Sequence, residues 1–278
     1  MREYNPAEIA RMYDAKMTNT GDLNNLLAEK GGKVFNHLGI LLPGLPMPEP
    51  KTEDELLELL NQMETDLVEY TIPHLGRLGS THLLLDAGCG AGGTALMIYE
   101  TFGCGIEGVN LSSKQVEFAA QATERLGLSE HLRFIVADVL KLPCEDGHYD
   151  AVWACESTQG LPDLKLMYTE LARVTKPSGR LVIVDFCATD TPEGQSIKVK
   201  VDNHYGTCMH TREEYTNSAE QNGWALADAI DMTGLTAPYW RLRSSSAHGT
   251  GSESFMTEGF LTGNLEYYLL AFDRSARN

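Results

Sequence analysis

The sequence predicts an α/β fold: an open, largely parallel sheet of seven strands flanked by helices, with a helical lid ahead of it. Three observations predict this. From residue 83 onward short apolar runs alternate with helix-length amphipathic stretches, the first run passes into a glycine-rich turn, and about eighty residues of helical and irregular character precede it. At 278 residues, 42% hydrophobic and 22% charged, the chain has globular composition. A compact chain of this size buries roughly 75% of its unfolded surface, so neither disulfides nor a structural metal are needed to hold it together.

The elements follow in order. Asn5 ahead of Pro6 caps a short helix running to about Met17. Residues 19–44 mix Gly, Asn and apolar residues without a period, and 43–50 is a proline-rich connector. Thr52 and Glu55 have capping-box spacing, and Leu56, Leu59, Leu60, Met63 and Leu67 then recur at helical spacing. Together these residues form an N-terminal helical cap, 1–80; the sheet domain takes 81–278. Its apolar runs 83–85, 106–109, 134–136, 151–154 and 181–184 alternate with helical patterns at 91–102, 112–126 and 162–175, which is βαβ alternation and hence a parallel sheet. Ser112 with Gln115, and Thr211 with Glu214, repeat the capping-box spacing. A strand at 225–232, a helical segment at 239–261 and a strand at 265–272 close the chain.

Composition excludes several classes of function. The 39 acidic and 22 basic residues give a net charge of −17, which opposes binding to nucleic acid or anionic membrane. A small phosphorylated ligand can still bind at a local cluster of cations or a bound metal, because charge is screened over about 8 Å at physiological salt. The six cysteines (Cys89, Cys104, Cys144, Cys155, Cys187, Cys208) contain no C-x-x-C pair and no Cys/His ligand spacing. Reduced, mostly buried thiols are therefore expected, not a zinc module or disulfide framework. Residue 3 is Glu, no apolar signal-peptide core follows it, and no stretch approaches the ~20 apolar residues of a membrane helix. The expectation is a soluble, cytoplasmic protein.

The first strand runs into Asp86-Ala87-Gly88-Cys89-Gly90-Ala91-Gly92-Gly93, where glycines let the backbone pass close to a ligand at a helix N-terminus. Gly88, Gly90 and Gly93 satisfy G-x-G-x-x-G, which alone is weak. A dinucleotide site places an acid at the end of the next strand to hold the ribose, whereas here that strand ends in Asn110, and no Tyr-x-x-x-Lys pair supports a nicotinamide enzyme. The Asp-Ala-Gly-Cys-Gly-x-Gly form, followed by Asp138 closing the third strand, resembles the class I S-adenosylmethionine methyltransferases over about residues 82–186. The resemblance implies their Rossmann-like seven-stranded sheet and an S-adenosylmethionine site. Gly88, Gly90 and Gly92 would line its turn, Asn110 and Gln115 would face the ribose, and Asp138 would meet the adenine amine.

The acceptor side begins at Glu156, placed after the fourth strand where strand ends face the ligand crevice of an open α/β sheet. It reads either as an N-cap or salt-bridged residue, or as a general base raised by apolar neighbours. A base suits alkene methylation, because a heteroatom accepts methyl through its lone pair while an alkene is left as a carbocation that must lose a proton. Such a cation wants aromatic faces. Tyr205, Trp153, Tyr239 and Trp240 are the candidates, with the hydrophobic core as their alternative place.

The segments 201–205, 209–215 and 237–243, with Glu156-Ser157-Thr158 and the ending 265–271, resemble the bacterial geranyl diphosphate C-methyltransferase group over about residues 82–273. The group is related to sterol C-methyltransferases and includes enzymes acting on isopentenyl diphosphate. The resemblance implies Glu156 as base, Tyr205 at the position of a cation-stabilising Phe, magnesium helping to hold a diphosphate, and assembly into a homo-oligomer. Geranyl members carry a His-rich stretch ending in Tyr-Gly where this chain reads Val34-Phe35-Asn36-His37-Leu38-Gly39, so isopentenyl and geranyl diphosphate both stand as acceptors. For the diphosphate the candidates are His37, Asn203, His204, His210 and Arg212, with Mg2+ bridging through water. Arg241 and Arg243 read either as ligands or as partners of surface acids. Two rivals remain: an O- or N-methyltransferase on an aromatic or polyketide metabolite, and a non-catalytic cofactor-binding partner.

Overall fold

The structure, a computed structural model, describes residues 4–19, 23, 25, 26 and 33–275. Glu3 and much of the irregular 19–44 stretch lie outside the described residues. Seven strands, β1 (Leu83–Ala87), β2 (Gly105–Asn110), β3 (Leu132–Val136), β4 (Tyr149–Cys155), β5 (Thr175–Ala188), β6 (Trp224–Asp231) and β7 (Leu265–Arg274), form one sheet in the order β3-β2-β1-β4-β5-β7-β6. Pairing is parallel except at β7, which runs antiparallel to both β5 and β6. The order reverses between β1 and β4, and the crevice outside the strands' carboxyl ends there is the ligand position of such sheets.

Helices cover both faces, so the central strands are buried and read as continuous apolar runs. On one face α2 (Glu53–Thr71), α3 (Gly93–Phe102), α6 (Pro192–Tyr205) and α8 (Thr233–Arg243) pack Leu60, Met63, Ile98, Val201, Tyr239 and Trp240 against Trp153, Val182 and Tyr267. On the other, α5 (Leu164–Val174) and α7 (Arg212–Gln221) bring Tyr168, Leu171 and Tyr215 onto Leu85, Val152 and Phe272. The N-terminal residues divide between two places: α2 is part of the core, whereas α1 (Pro6–Lys16) lies over the crevice and packs on α4 (Ser113–Arg125). Asp14 ties it down by accepting from the Ser112 hydroxyl at 2.6 Å and the Lys114 amide at 3.1 Å.

Some local expectations are corrected. The helical segment 239–261 is two helices, α8 and α9 (Glu253–Thr262), because Ser244 and Ser245 turn their hydroxyls back onto the Trp240 and Leu242 carbonyls and stop the first. β5 extends far beyond 181–184, since it pairs with β7 from Arg180↔Asp273 to Ala188↔Leu265. Of the three capping boxes only Thr211–Glu214 is reciprocal. Glu55 instead accepts from the Lys51 amide, and Gln115 from the Asn110 side chain.

Candidate active site

A cleft of about 1120 Å³, its mouth included, opens at the β1/β4 reversal beneath α1. Its cofactor half is built by the β1 turn. Gly88 (φ 91°) and Gly90 (φ 53°) lie in the left-handed region and line the cleft. A Cβ on Gly88 would stand 2.3 Å from the Ser157 Cβ, so this glycine also lets the ends of β1 and β4 touch; Ser157 completes the contact by donating to the Ala87 carbonyl at 2.6 Å. Gly92 (φ 85°) sits behind the wall at the start of α3, where a Cβ would meet Ala119 at 2.9 Å, and Gly93 lines the cleft in its place.

Asn110 Nδ2 donates to Gln115 Oε1 at 3.0 Å, both residues lining the cleft, and Asn110 Oδ1 accepts from the Ser112 amide. Asp138 stands at the rim between the lining residues Ala137 and Val139; its Oδ1 accepts from Tyr4 and from the Leu140 amide, each at 2.9 Å. Asp86 was not singled out by sequence reasoning. It is buried, one carboxylate oxygen has no hydrogen-bond partner, and desolvation pushes its pKa up to about 7. These features fit S-adenosylmethionine: an orphaned carboxylate for its ammonium, amides at the start of α3 for its carboxylate, and carboxamides for its ribose.

The acceptor half centres on Glu156. It has φ 47°, a left-handed conformation costing a non-glycine residue about 1–2 kcal/mol, in a segment held by its own amide on the Val184 carbonyl and by Thr158 on Asp185. Its Oε1 accepts from the Leu38 amide and the Tyr267 hydroxyl, both at 2.7 Å. Burial pushes its pKa up to about 8; the two donors oppose the shift, and the acids Asp185 and Glu64 add to it. With both donors on Oε1, Oε2 is left to take a proton. Trp153, Tyr13 and Tyr205 bring rings to the same cleft. The Lys16 ammonium lies 4.8 Å from the Tyr13 ring centroid and 5.8 Å from that of Tyr205, so both faces already accept a cation. The Tyr205 hydroxyl is engaged by Ser252 at 2.6 Å.

The expected diphosphate ligands are mostly elsewhere. His37 lines the cleft, but burial pushes its pKa down to about 4; Nδ1–H donates to the Leu38 carbonyl, which leaves Nε2 toward Thr94, so the ring is neutral. Asn203 and His204 are exposed, outside the cleft. His210 is buried on the Leu161 carbonyl at 2.7 Å, and Arg212 pairs with Glu213 over the Tyr268 ring. Tyr239 bonds Glu64 at 2.8 Å and Trp240 packs under Arg243, both in the core. Arg243 itself meets Tyr239 and Glu253. Among the described residues no three His, Cys, Asp or Glu side chains gather as a metal site. Tyr4, Tyr13, Leu38 and Tyr267 were missed. Tyr13 shares a helical face with Ile9 and Met12, a signal the sequence offered; the Leu38 contribution is a backbone group and offered none.

Fold and site together define a class I S-adenosylmethionine-dependent methyltransferase. The model of the Methyltransferase domain family matches residues 85–183. A geranyl diphosphate 2-C-methyltransferase from Saccharopolyspora erythraea is 35% identical over 257 residues, spanning 91% of this chain and 90% of the relative. A structure of geranyl diphosphate methyltransferase in complex with GPP and sinefungin superposes with TM-score 0.89 at 32% identity, covering 97% of this chain and 98% of that one. The geranyl diphosphate C-methyltransferase of Streptomyces coelicolor A3(2), in complex with Mg2+, geranyl-S-thiolodiphosphate and S-adenosyl-L-homocysteine, gives TM-score 0.89 at 30% identity, with 97% of each chain covered. The chain belongs to this family of C-methyltransferases.

Proposed function

We propose that the protein methylates an alkene carbon of a short prenyl diphosphate, with geranyl diphosphate as acceptor. The observation that carries this reading is the Glu156 carboxyl, held on one oxygen by two donors within a ring-lined cleft. The relatives' acceptor supports it, and so does a cleft that joins a glycine-turn half to a ring-lined half around Glu156.

S-adenosylmethionine, when bound, supplies a methyl cation equivalent whose carbon–sulfur bond breaks as the alkene's π electrons form the new carbon–carbon bond. The neighbouring alkene carbon then carries the positive charge. Tyr205, Tyr13 and Trp153 stabilise that charge with their faces, each ring worth about 0.5–2 kcal/mol when desolvated. Glu156 takes the proton from the newly methylated carbon at Oε2, and the alkene reforms. A cationic cofactor held in the neighbouring half of the cleft would favour the ionised form of this carboxyl, whose pKa burial pushes up to about 8. Helix α1, bringing Ile9, Met12 and Tyr13 over the cleft, keeps water from the cation. Magnesium belongs to the substrate in this reading, arriving on the diphosphate oxygens. A cytoplasmic setting is part of the proposal; all six cysteines are unpaired, and no helix among the described residues is long and apolar enough to cross a membrane.

The test is radiolabelled methyl transfer to isopentenyl, dimethylallyl, geranyl and farnesyl diphosphates, with and without magnesium. Magnesium-dependent transfer favouring geranyl diphosphate is expected. Preference for isopentenyl diphosphate would shorten the acceptor, and transfer to none of the four would overturn the reading.

A further inference from the structure

Residues 38–41 form a strap pinned at four successive places. The Leu38 amide donates to Glu156 Oε1 at 2.7 Å, the Gly39 carbonyl accepts from the Thr236 hydroxyl at 2.9 Å, and the Ile40 and Leu41 amides donate to the Met63 and Leu235 carbonyls at 3.0 and 2.8 Å. The strap thus bridges the acceptor half of the cleft to α2 and α8. At Gly39 it has no clearance: a Cβ would stand 2.7 Å from the carbonyl carbon of Met63, from the Met63 Cβ and from Cδ2 of Tyr239. Its φ is not left-handed, so close approach accounts for the glycine.

We infer that Gly39 and Thr236 are positioning residues for the catalytic base: they set the Leu38 amide on Glu156 and, through that one backbone donor, how readily the carboxylate takes a proton. The inference rests on Glu156 being the base of the proposed reaction. Glu156 is faced by Tyr267 from β7, Asp185 from β5, Glu64 from α2, Tyr13 from α1 and Cys155 beside it in sequence. Asp185 and Glu64 raise its proton affinity, while the Leu38 amide and Tyr267 hydroxyl lower it. A carboxylate that loses one of its two donors holds a proton more tightly. Gly39→Ala pushes the strap off Met63 and Tyr239; Thr236→Val removes the hydroxyl that anchors the Gly39 carbonyl and keeps the side chain's shape.

The experiment measures kcat/KM for methyl transfer to geranyl diphosphate from about pH 6 to about pH 10. Gly39→Ala and Thr236→Val are expected to move the acid limb up by about one pH unit, about tenfold in rate below both midpoints, and to converge on the wild type at the alkaline end. Thr236→Ser keeps the donor and should follow the wild-type profile. Binding of S-adenosylhomocysteine should stay within about twofold throughout, since the strap acts on the base. A loss uniform across pH, or an unmoved Thr236→Val profile, overturns the inference. If Gly39→Ala does not fold, the Val and Ser variants of Thr236 decide. A fully active Glu156→Gln enzyme would instead bring down the reading of Glu156 as base, whereas an inactive one with an unmoved Thr236→Val profile sinks this inference alone.

Discussion

Replacing Glu156 by Gln should make the protein more stable and much less active, and the two effects have one cause. Gln keeps the shape and an oxygen for the Leu38 and Tyr267 donors but cannot take a proton, so turnover should fall by about 10²–10⁴-fold. The wild-type carboxyl is moved from 4.5 to about 8 in the folded protein, and at about 1.4 kcal/mol per unit the full shift is about 5 kcal/mol against folding. Glu156 keeps part of its surface open to the cleft, so solvent takes a share and about 2–3 kcal/mol is the difference to look for. The sign follows from which state binds the proton: between 4.5 and 8 the unfolded chain loses it first, so wild-type stability declines as pH rises through that window. Thermal melts of the ligand-free proteins should therefore nearly coincide at about pH 4.5 and separate by about 5 °C in favour of Glu156→Gln near pH 8.5. A gap that does not widen with pH, or a Gln enzyme with near-normal turnover, would refute the assignment of a desolvated base.

The cofactor turn should be intolerant: Gly88→Ala meets both a positive φ and Ser157, and Asp86→Asn removes the orphaned charge, so each should weaken S-adenosylhomocysteine or S-adenosylmethionine binding by at least about tenfold in calorimetry. Tyr205→Phe keeps the ring and should retain turnover within a few-fold, whereas Tyr205→Ala should lose up to about thirtyfold with cofactor binding intact. Ser252→Ala removes the 2.6 Å partner of the Tyr205 hydroxyl and should destabilise by about 0.5–1.5 kcal/mol alone but by less in a Tyr205→Phe background, a coupling that denaturant melts can read. Arg212→Ala and His204→Ala should leave KM for the prenyl diphosphate within about twofold, since neither lines the cleft; a tenfold rise would place the diphosphate on their face.

The sheet was legible because buried parallel strands write themselves as apolar runs, and the turn after β1 because only glycine tolerates its geometry. Glu156 was legible for the opposite reason: a carboxylate directly after an apolar strand is anomalous unless used. What holds and tunes its carboxyl was not. Its donors come from 118 and 111 residues away, one of them a backbone amide that no side chain advertises. Orientation is not written in residue type: His204 is exposed, and His210 and Arg212, at the start of α7, turn to the Leu161 carbonyl and to Glu213. Asp86 heads the glycine-rich turn, but that one of its oxygens goes unpaired is a property of the folded interior.

The two donors on Glu156 also bear on when the active site comes into being. One belongs to the first sixth of the chain and the other to its last strand, so the carboxylate acquires both only after β7 has slotted between β5 and β6. During synthesis on the ribosome, the glycine turn and its neighbours are complete long before that final insertion. Loss of β7 would take the Tyr267 donor from Glu156 and leave β1 to β4 around the glycine turn in place, whereas trimming at the N-terminus would first remove Tyr4 and α1 from the cofactor half.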